Sequence, residues 1–167
     1  MSGAGTPSRP EAASARGSNA PDSGAAAELR PLGTVDHVAI AVRPRSKDAA
    51  IRFLTAVLGA KPGFARDQRE FSFQHFHLGA AKFELLWPTT ESSFLTRFLE
   101  KRGEGLHHVT MIVDDVRDCC ARLEDEGLDV VDKDFSEPHW MQAFISPRSA
   151  FGVLFQLAQK GPAKAKP

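Results

Sequence analysis

The chain repeats itself. Asp36-His37-Val38-Ala39-Ile40-Ala41-Val42 matches His107-His108-Val109-Thr110-Met111-Ile112-Val113 at an offset of 71 residues. Phe83-Glu84-Leu85 matches Phe155-Gln156-Leu157 at an offset of 72. Self-similarity over such a distance means one supersecondary unit used twice, each copy too small to bury its own apolar face. Chance likeness of two amphipathic halves would not also align histidines, glycines and an acid with its amide.

The unit itself is readable. Each copy opens on a strand with period-2 alternation and β-branched content. A helical stretch follows. In the first copy Ser46 is a cap, and Ala50, Phe53, Leu54, Val57 and Leu58 fall on one face. In the second, Asp114 or Asp115 is the cap and Val116, Cys119, Cys120 and Leu123 make the face. Gly59 and Gly127 stand where helices end. Further strands follow at Phe71 to Leu78 and Lys82 to Trp87, joined by a Gly79-Ala80 hairpin turn. The second copy continues through Met141 to Ile145, a connection at Pro147 to Phe151, and a last strand at Gly152 to Leu157. The fold class is α+β: tandem βαβββ modules, about 34–90 and 105–159, forming a cupped, barrel-like mixed sheet with helices outside.

Composition sets the limits of this body. Residues 1–33 are rich in Ala, Ser, Gly and Pro and carry almost no large apolar side chain, so they read as a disordered tail, as do residues 160–167. Arg9, Arg16 and the serines would fit an organellar transit peptide, but Glu11, Asp22, Glu28 and the prolines Pro7, Pro10 and Pro21 favour a simple tail. With 21 Lys+Arg against 21 Asp+Glu, the charge balance gives no reason to expect nucleic acid or an anionic membrane as partner. No apolar run is long enough to span a bilayer. Tyr is absent, so no tyrosine serves as acid or base. Cys119 and Cys120 are adjacent, and neighbours on a helix point about 100° apart, so they read as two reduced thiols in a reducing, cytoplasmic setting.

Strand facing picks out the chemistry. His37, Ala39 and Ala41 share one face, while Val38, Ile40 and Val42 share the other and should pack on the helix. In the second copy His108, Thr110 and Ile112 share the free face, and His107, Val109, Met111 and Val113 cover the helix. Glu84 and Gln156 interrupt otherwise apolar strands at mirrored positions. A buried carboxylate without a partner is costly. Two imidazoles, a carboxylate and an amide oxygen at mirrored positions form a divalent metal set: His37, Glu84, His108 and Gln156. Nitrogen with oxygen ligands suits Zn²⁺, Co²⁺, Ni²⁺, Mn²⁺ or Fe²⁺ better than Ca²⁺. Taken singly, each would read as a satisfied core residue. His75 and His77, beside Phe71 and Phe73, read as structural or substrate-facing.

These residues resemble the vicinal oxygen chelate superfamily, which includes glyoxalase I, extradiol dioxygenases, resistance proteins and methylmalonyl-CoA epimerase. The segments that carry the resemblance are Val35 to Val42, Lys82 to Pro88, Phe98 to Val109, Val113 to Val116, Ser146-Pro147-Arg148 and Gly152-Val153-Leu154. They are most similar to the epimerases. The resemblance covers about residues 34–159 and implies the same four metal ligands, an acyl-CoA as small-molecule substrate, and a homodimer as one way of completing sites. It also implies a metal-dependent isomerase working through an enolate. A glyoxalase-like lyase or a dioxygenase on the same cup, and a metal-free binding protein, are the alternatives.

The departures are specific. Gln156 stands where the epimerases usually carry Glu. Ser146 and Arg148 replace the His and Lys of their His-Pro-Lys segment. Glu137-Pro138-His139-Trp140 replaces a glycine-rich loop. Gln156 can coordinate but cannot take a proton, so Glu84 is the expected carboxylate base. Arg148, His139 and Trp140 are the expected substrate contacts.

Overall fold

The structure, a computed structural model, describes residues 31–161. The expected tail through residue 30 and residues 162–167 lie outside the described residues.

Eight strands and three helices follow one another in the order the repeat requires. The first copy is β1 (Thr34–Ala41), α1 (Lys47–Arg52), β2 (Lys61–Asp67), β3 (Phe71–Leu78) and β4 (Ala81–Pro88). A linking helix, α2 (Phe94–Arg102), leads to the second copy: β5 (Gly105–Ile112), α3 (Val116–Asp125), β6 (Val130–Asp134), β7 (Trp140–Ile145) and β8 (Phe155–Lys160). The strands form one sheet in the order β2-β3-β4-β1-β5-β8-β7-β6. Each half places its first strand parallel to its last, and β1 and β5 join the halves antiparallel. Among the described residues no pairing joins the edges β2 and β6, so the sheet is open.

Helices pack where the alternation demanded. Val42, Leu54, Phe76 and Leu85 form one core cluster, with Ile40, Ala50 and Ile51 against it. Val113, Val116, Cys119, Cys120 and Leu157 form its counterpart under α3, with Met111 and Leu123 against it. Asp115 caps α3: its Oδ1 accepts from the backbone N–H groups of Arg117 and Asp118 at 2.9 and 3.0 Å. Gly59 and Gly127 take left-handed φ values of 75° and 79° after their helices. Both cysteines are free and buried.

Several expectations change. Ser46 makes no side-chain cap. The face expected of the first helix breaks up after Arg52, because Phe53–Val57 winds as a π-helix. The Leu58 N–H then reaches back to the Phe53 carbonyl, five residues away. A wider turn rotates the 3.6-residue stripe off the core. Leu54 stays buried, while Phe53 is 52% and Val57 70% exposed. The last strand begins at Phe155 rather than Gly152, whose φ of 88° is incompatible with a strand. It runs on to Lys160, past the expected boundary. The edge strands β2 and β6 supply the third strand that each βαβββ module called for without assigned residues, and the helix α2 is additional to the sequence reading.

α2 matters most for the site. Its Leu95 and Leu99 pack with Ala39, Ala41 and Leu86, and with Phe71, Phe73 and Phe98. These come from the same strand faces that carry His37 and Glu84, so α2 gives the cup an apolar floor. Fully buried Leu95 contributes about 2 kcal/mol by area.

Candidate metal centre

Four strands converge on the cup. β1 supplies His37, β4 supplies Glu84, β5 supplies His108 and β8 supplies Gln156, all buried. One ligand atom each of His37, Glu84 and His108 falls within 4.8 Å of the others. Gln156 joins them through Thr110, whose hydroxyl donates to Gln156 Oε1 at 2.6 Å and lies 2.9 Å from His37 Nε2. The structure therefore brings together the four residues singled out by the repeat.

Two β-bulges set the histidines. In the β1–β5 ladder, Val35 pairs with Met111 and His37 with Thr110, so Asp36 is an extra residue in β1. Ala39 pairs with His108 and Ile40 with Leu106, so His107 is an extra residue in β5. A bulge re-aims the side chain it carries. Asp36 Oδ2 lies 2.7 Å from His37 Nδ1. His107 Nδ1 lies 2.7 Å from His108 Nδ1. Each histidine of the cluster is held at Nδ1 by the residue before it. This corrects the expected placement of His107. Its ring packs on Phe98 and Phe94 of α2, at centroid distances of 4.7 and 5.7 Å.

The electrostatics differ across the cup. Burial opposes the Glu84 charge, but the His37 imidazole beside it and the hydrogen bond with His75 outweigh it and hold the carboxyl at about 2, below its ordinary 4.5. His75, the cross-strand partner of Glu84, is the closer one: its Nε2 is 2.8 Å from Oε2. Glu84 Oε1 is 3.6 Å from His37 Nε2. Burial likewise opposes ionisation of Asp36, yet hydrogen bonds from His37, Lys160 and Lys82 hold it well below the usual carboxylate range. On the other side, burial pushes His107 down to about 4 and His108 to about 3. Both imidazoles are neutral at pH 7.

A divalent cation fits this donor set. His108 Nε2 is a buried nitrogen with no hydrogen-bond partner among the described residues. Native interiors rarely leave such an atom without a purpose. It belongs to a neutral imidazole and faces the same cluster as an ionised carboxylate. Imidazole nitrogen with carboxylate and amide oxygen is a borderline-metal set.

Comparison with known proteins follows the same line. Residues 36–144 match the family model described as the glyoxalase/bleomycin resistance protein/dioxygenase superfamily. The chain belongs to this superfamily. An ethylmalonyl-CoA/methylmalonyl-CoA epimerase of Cereibacter sphaeroides is 33% identical over 136 residues, which span 77% of this chain and 98% of that one. The crystal structure of methylmalonyl-CoA epimerase from Mycobacterium tuberculosis superposes with a TM-score of 0.69 at 28% identity, covering 80% and 93% of the two chains. The Streptomyces coelicolor epimerase, solved in complex with 2-nitronate-propionyl-CoA, gives 0.67 at 26%, covering 79% and 100%. This superfamily member is an enzyme of the isomerase type, its reaction open.

The expected substrate contacts are less unified. Trp140 is not in a loop: it opens β7, and its indole N–H donates to Gln142 Oε1 at 3.0 Å. The same oxygen accepts from Gln156 Nε2 at 2.7 Å. Trp140 thus orients Gln156 through Gln142. His139 lies in the preceding turn, with Nδ1 3.3 Å from Glu137 Oε2. Arg148 is exposed after β7, and its guanidinium makes no hydrogen bond or ion pair among the described residues. His77 is exposed. The sequence reading missed Asp36, His75, Thr110 and Gln142 as partners of the ligand set. Asp36 directly before a strand histidine was the visible signal for one of them. No helix among the described residues is long and apolar enough to cross a membrane.

Proposed function

We propose that this chain is a metal-dependent epimerase that removes and returns the proton on a carbon between two carbonyls of an acyl-CoA, with methylmalonyl-CoA as the first substrate to try. The observation that carries the reading is the buried His37–Glu84–His108 cluster, with Gln156 beside it, in the cup of a chain that has methylmalonyl-CoA epimerases among its relatives. His37, Glu84, His108 and Gln156 would hold the metal through imidazole nitrogen, carboxylate oxygen and amide oxygen. The metal would be Co²⁺, Zn²⁺, Ni²⁺, Mn²⁺ or Fe²⁺.

A bound divalent cation stabilises the negative charge that develops on a carbonyl oxygen as the α-proton leaves. This chain's residues do the rest. Glu84 is ionised at pH 7 and accepts the proton. His75 holds its other oxygen at 2.8 Å and fixes the carboxylate plane. The apolar floor of Leu95, Leu99 and Phe98 keeps water from the reacting carbon. Arg148, His139 and Trp140 are the proposed contacts for the acyl-CoA.

The test is exchange of the α-proton of methylmalonyl-CoA in D₂O with metal-loaded protein, followed by mass spectrometry. Exchange that depends on the wild-type chain and disappears in Glu84→Gln, with metal still bound, is the expected result. Full exchange by metal-loaded Glu84→Gln would remove Glu84 as the base. No exchange by the wild type would remove this substrate.

A further inference from the structure

We propose that His107 is a positioning residue: it accepts the Nδ1–H of His108, and so fixes the tautomer and ring plane that present His108 Nε2 to the cup. The inference rests on the metal reading of that cup.

The Nδ1 atoms of His107 and His108 lie 2.7 Å apart. At that separation one must carry hydrogen and the other a lone pair. Neither ring forms an ion pair among the described residues, and a neutral imidazole has one of each. Two arrangements remain. If His107 donates, the hydrogen of His108 sits on Nε2, a buried atom without a partner among the described residues. A buried N–H with no acceptor is the less stable arrangement. If His108 donates, its Nε2 keeps a lone pair aimed at the cluster. His107 then carries its hydrogen on Nε2.

His107 is built for this task. The bulge in β5 gives it the side of the sheet that strict alternation would deny it. Phe98 and Phe94 hold its ring, the former at 65° to its plane. The His107 and His108 rings stand at 80° with centroids 5.0 Å apart. Asp36 reaches the same nitrogen of His37 from the other bulge. Partners of this kind, outside the ligands themselves, tune affinity by about 10- to 100-fold.

The experiment uses the full chain, Co²⁺ as the probe, and three proteins. His107→Phe keeps the packing on α2 and removes the acceptor. His107→Asn returns an acceptor near the position of Nδ1. Histidine ¹⁵N spectra of the metal-free proteins report the tautomer of His108. Wild type and His107→Asn should show His108 with Nδ1–H, while His107→Phe should show a mixture or Nε2–H. Co²⁺ affinity, by titration, should fall about 10- to 100-fold in His107→Phe and stay within a few fold in His107→Asn. Unchanged affinity and tautomer in His107→Phe would overturn the proposal, as would an Nε2–H tautomer in the wild type. If the wild type binds no Co²⁺, the metal reading fails separately, and the spectra still decide what His107 does. If His107→Phe melts early, the Asn variant and the wild-type spectrum still decide it.

Discussion

The two halves of the cup share a backbone and differ in charge. His37 and His108 are both held at Nδ1 by the preceding residue, and a bulge delivers that residue in each case. On the first wall the partner is an anion, Asp36, gripped by Lys82 and Lys160. On the second it is a neutral imidazole seated on phenyl rings. The difference continues one strand out. Glu84 is ionised and backed by His75. Gln156 is an amide backed by Gln142, Trp140 and Thr110, none of which ionises near pH 7. The repeat carries the geometry of the site into both halves, while the carboxylates stand on one wall only. On the proposed reading a metal would use both walls, but a proton could be taken by only one.

The largest effects should come where both walls are needed. His37→Ala and His108→Ala should each abolish Co²⁺ binding and α-proton exchange together. Normal Co²⁺ binding by His108→Ala would show that the walls do not share one ion. Next comes the base. Glu84→Gln should slow exchange by about 10²- to 10⁴-fold, and Gln156→Glu should not. The double variant Glu84→Gln/Gln156→Glu should recover exchange by moving the carboxylate across the cup. Inversion needs a proton on each face, so the wild type should exchange the α-proton faster than it inverts the centre. Gln156→Glu alone should bring the two rates together. Equal rates in the wild type would mean that some group other than these carboxylates serves the second face.

This asymmetry explains what a sequence can carry. His37, Glu84, His108 and Gln156 were legible because identity and spacing repeat, and period-2 facing separates them from the helix-covering residues. His107 was assigned to the wrong face because a bulge is a property of two strands in register, and neither strand shows it alone. The same holds for Asp36, although it sits beside its histidine. β2 was counted but not placed, for a different reason. Lys61–Asp67 contains Pro62 and Gly63 and is exposed along its length, so no alternation marks it. Trp140 was expected in a loop, because its place at the start of β7 and its path to Gln156 through Gln142 depend on the β7–β8 pairing.

Acid should separate the walls by pH. His107 and His108 are less basic folded than unfolded, so the unfolded chain binds the extra protons. Their contribution falls as pH drops from about 6.5 towards 4. Glu84 is more acidic folded than unfolded. Its contribution is full above 4.5 and is lost as pH falls towards about 2. Each of His107 and Glu84 is worth about 3 kcal/mol over its window. Urea unfolding of the metal-free protein should therefore show two successive losses. His107→Phe should flatten the upper one and Glu84→Gln the lower. A single loss below pH 4.5 that His107→Phe leaves unchanged would mean that the second wall is not held neutral by burial.

The smallest effect tests why the neutral wall needs more partners. A carboxylate has two equivalent oxygens, so rotating Glu84 by half a turn changes nothing for a metal. An amide has one oxygen, and a flipped Gln156 would point its NH₂ at the cation. The Trp140 indole N–H prevents this at one remove. It donates to Gln142 Oε1, so Gln142 keeps an acceptor towards Gln156 Nε2, and Gln156 Oε1 stays towards Thr110. Trp140→Phe keeps the ring and removes the donor. Stability should fall by about 1 kcal/mol, with Co²⁺ affinity weakened several-fold and Glu84 unaffected. His75→Phe on the opposite wall removes a partner at similar distance but has no amide to misorient, so it should alter exchange more than Co²⁺ affinity. Equal losses of affinity in the two variants would mean that amide orientation is not what Trp140 controls.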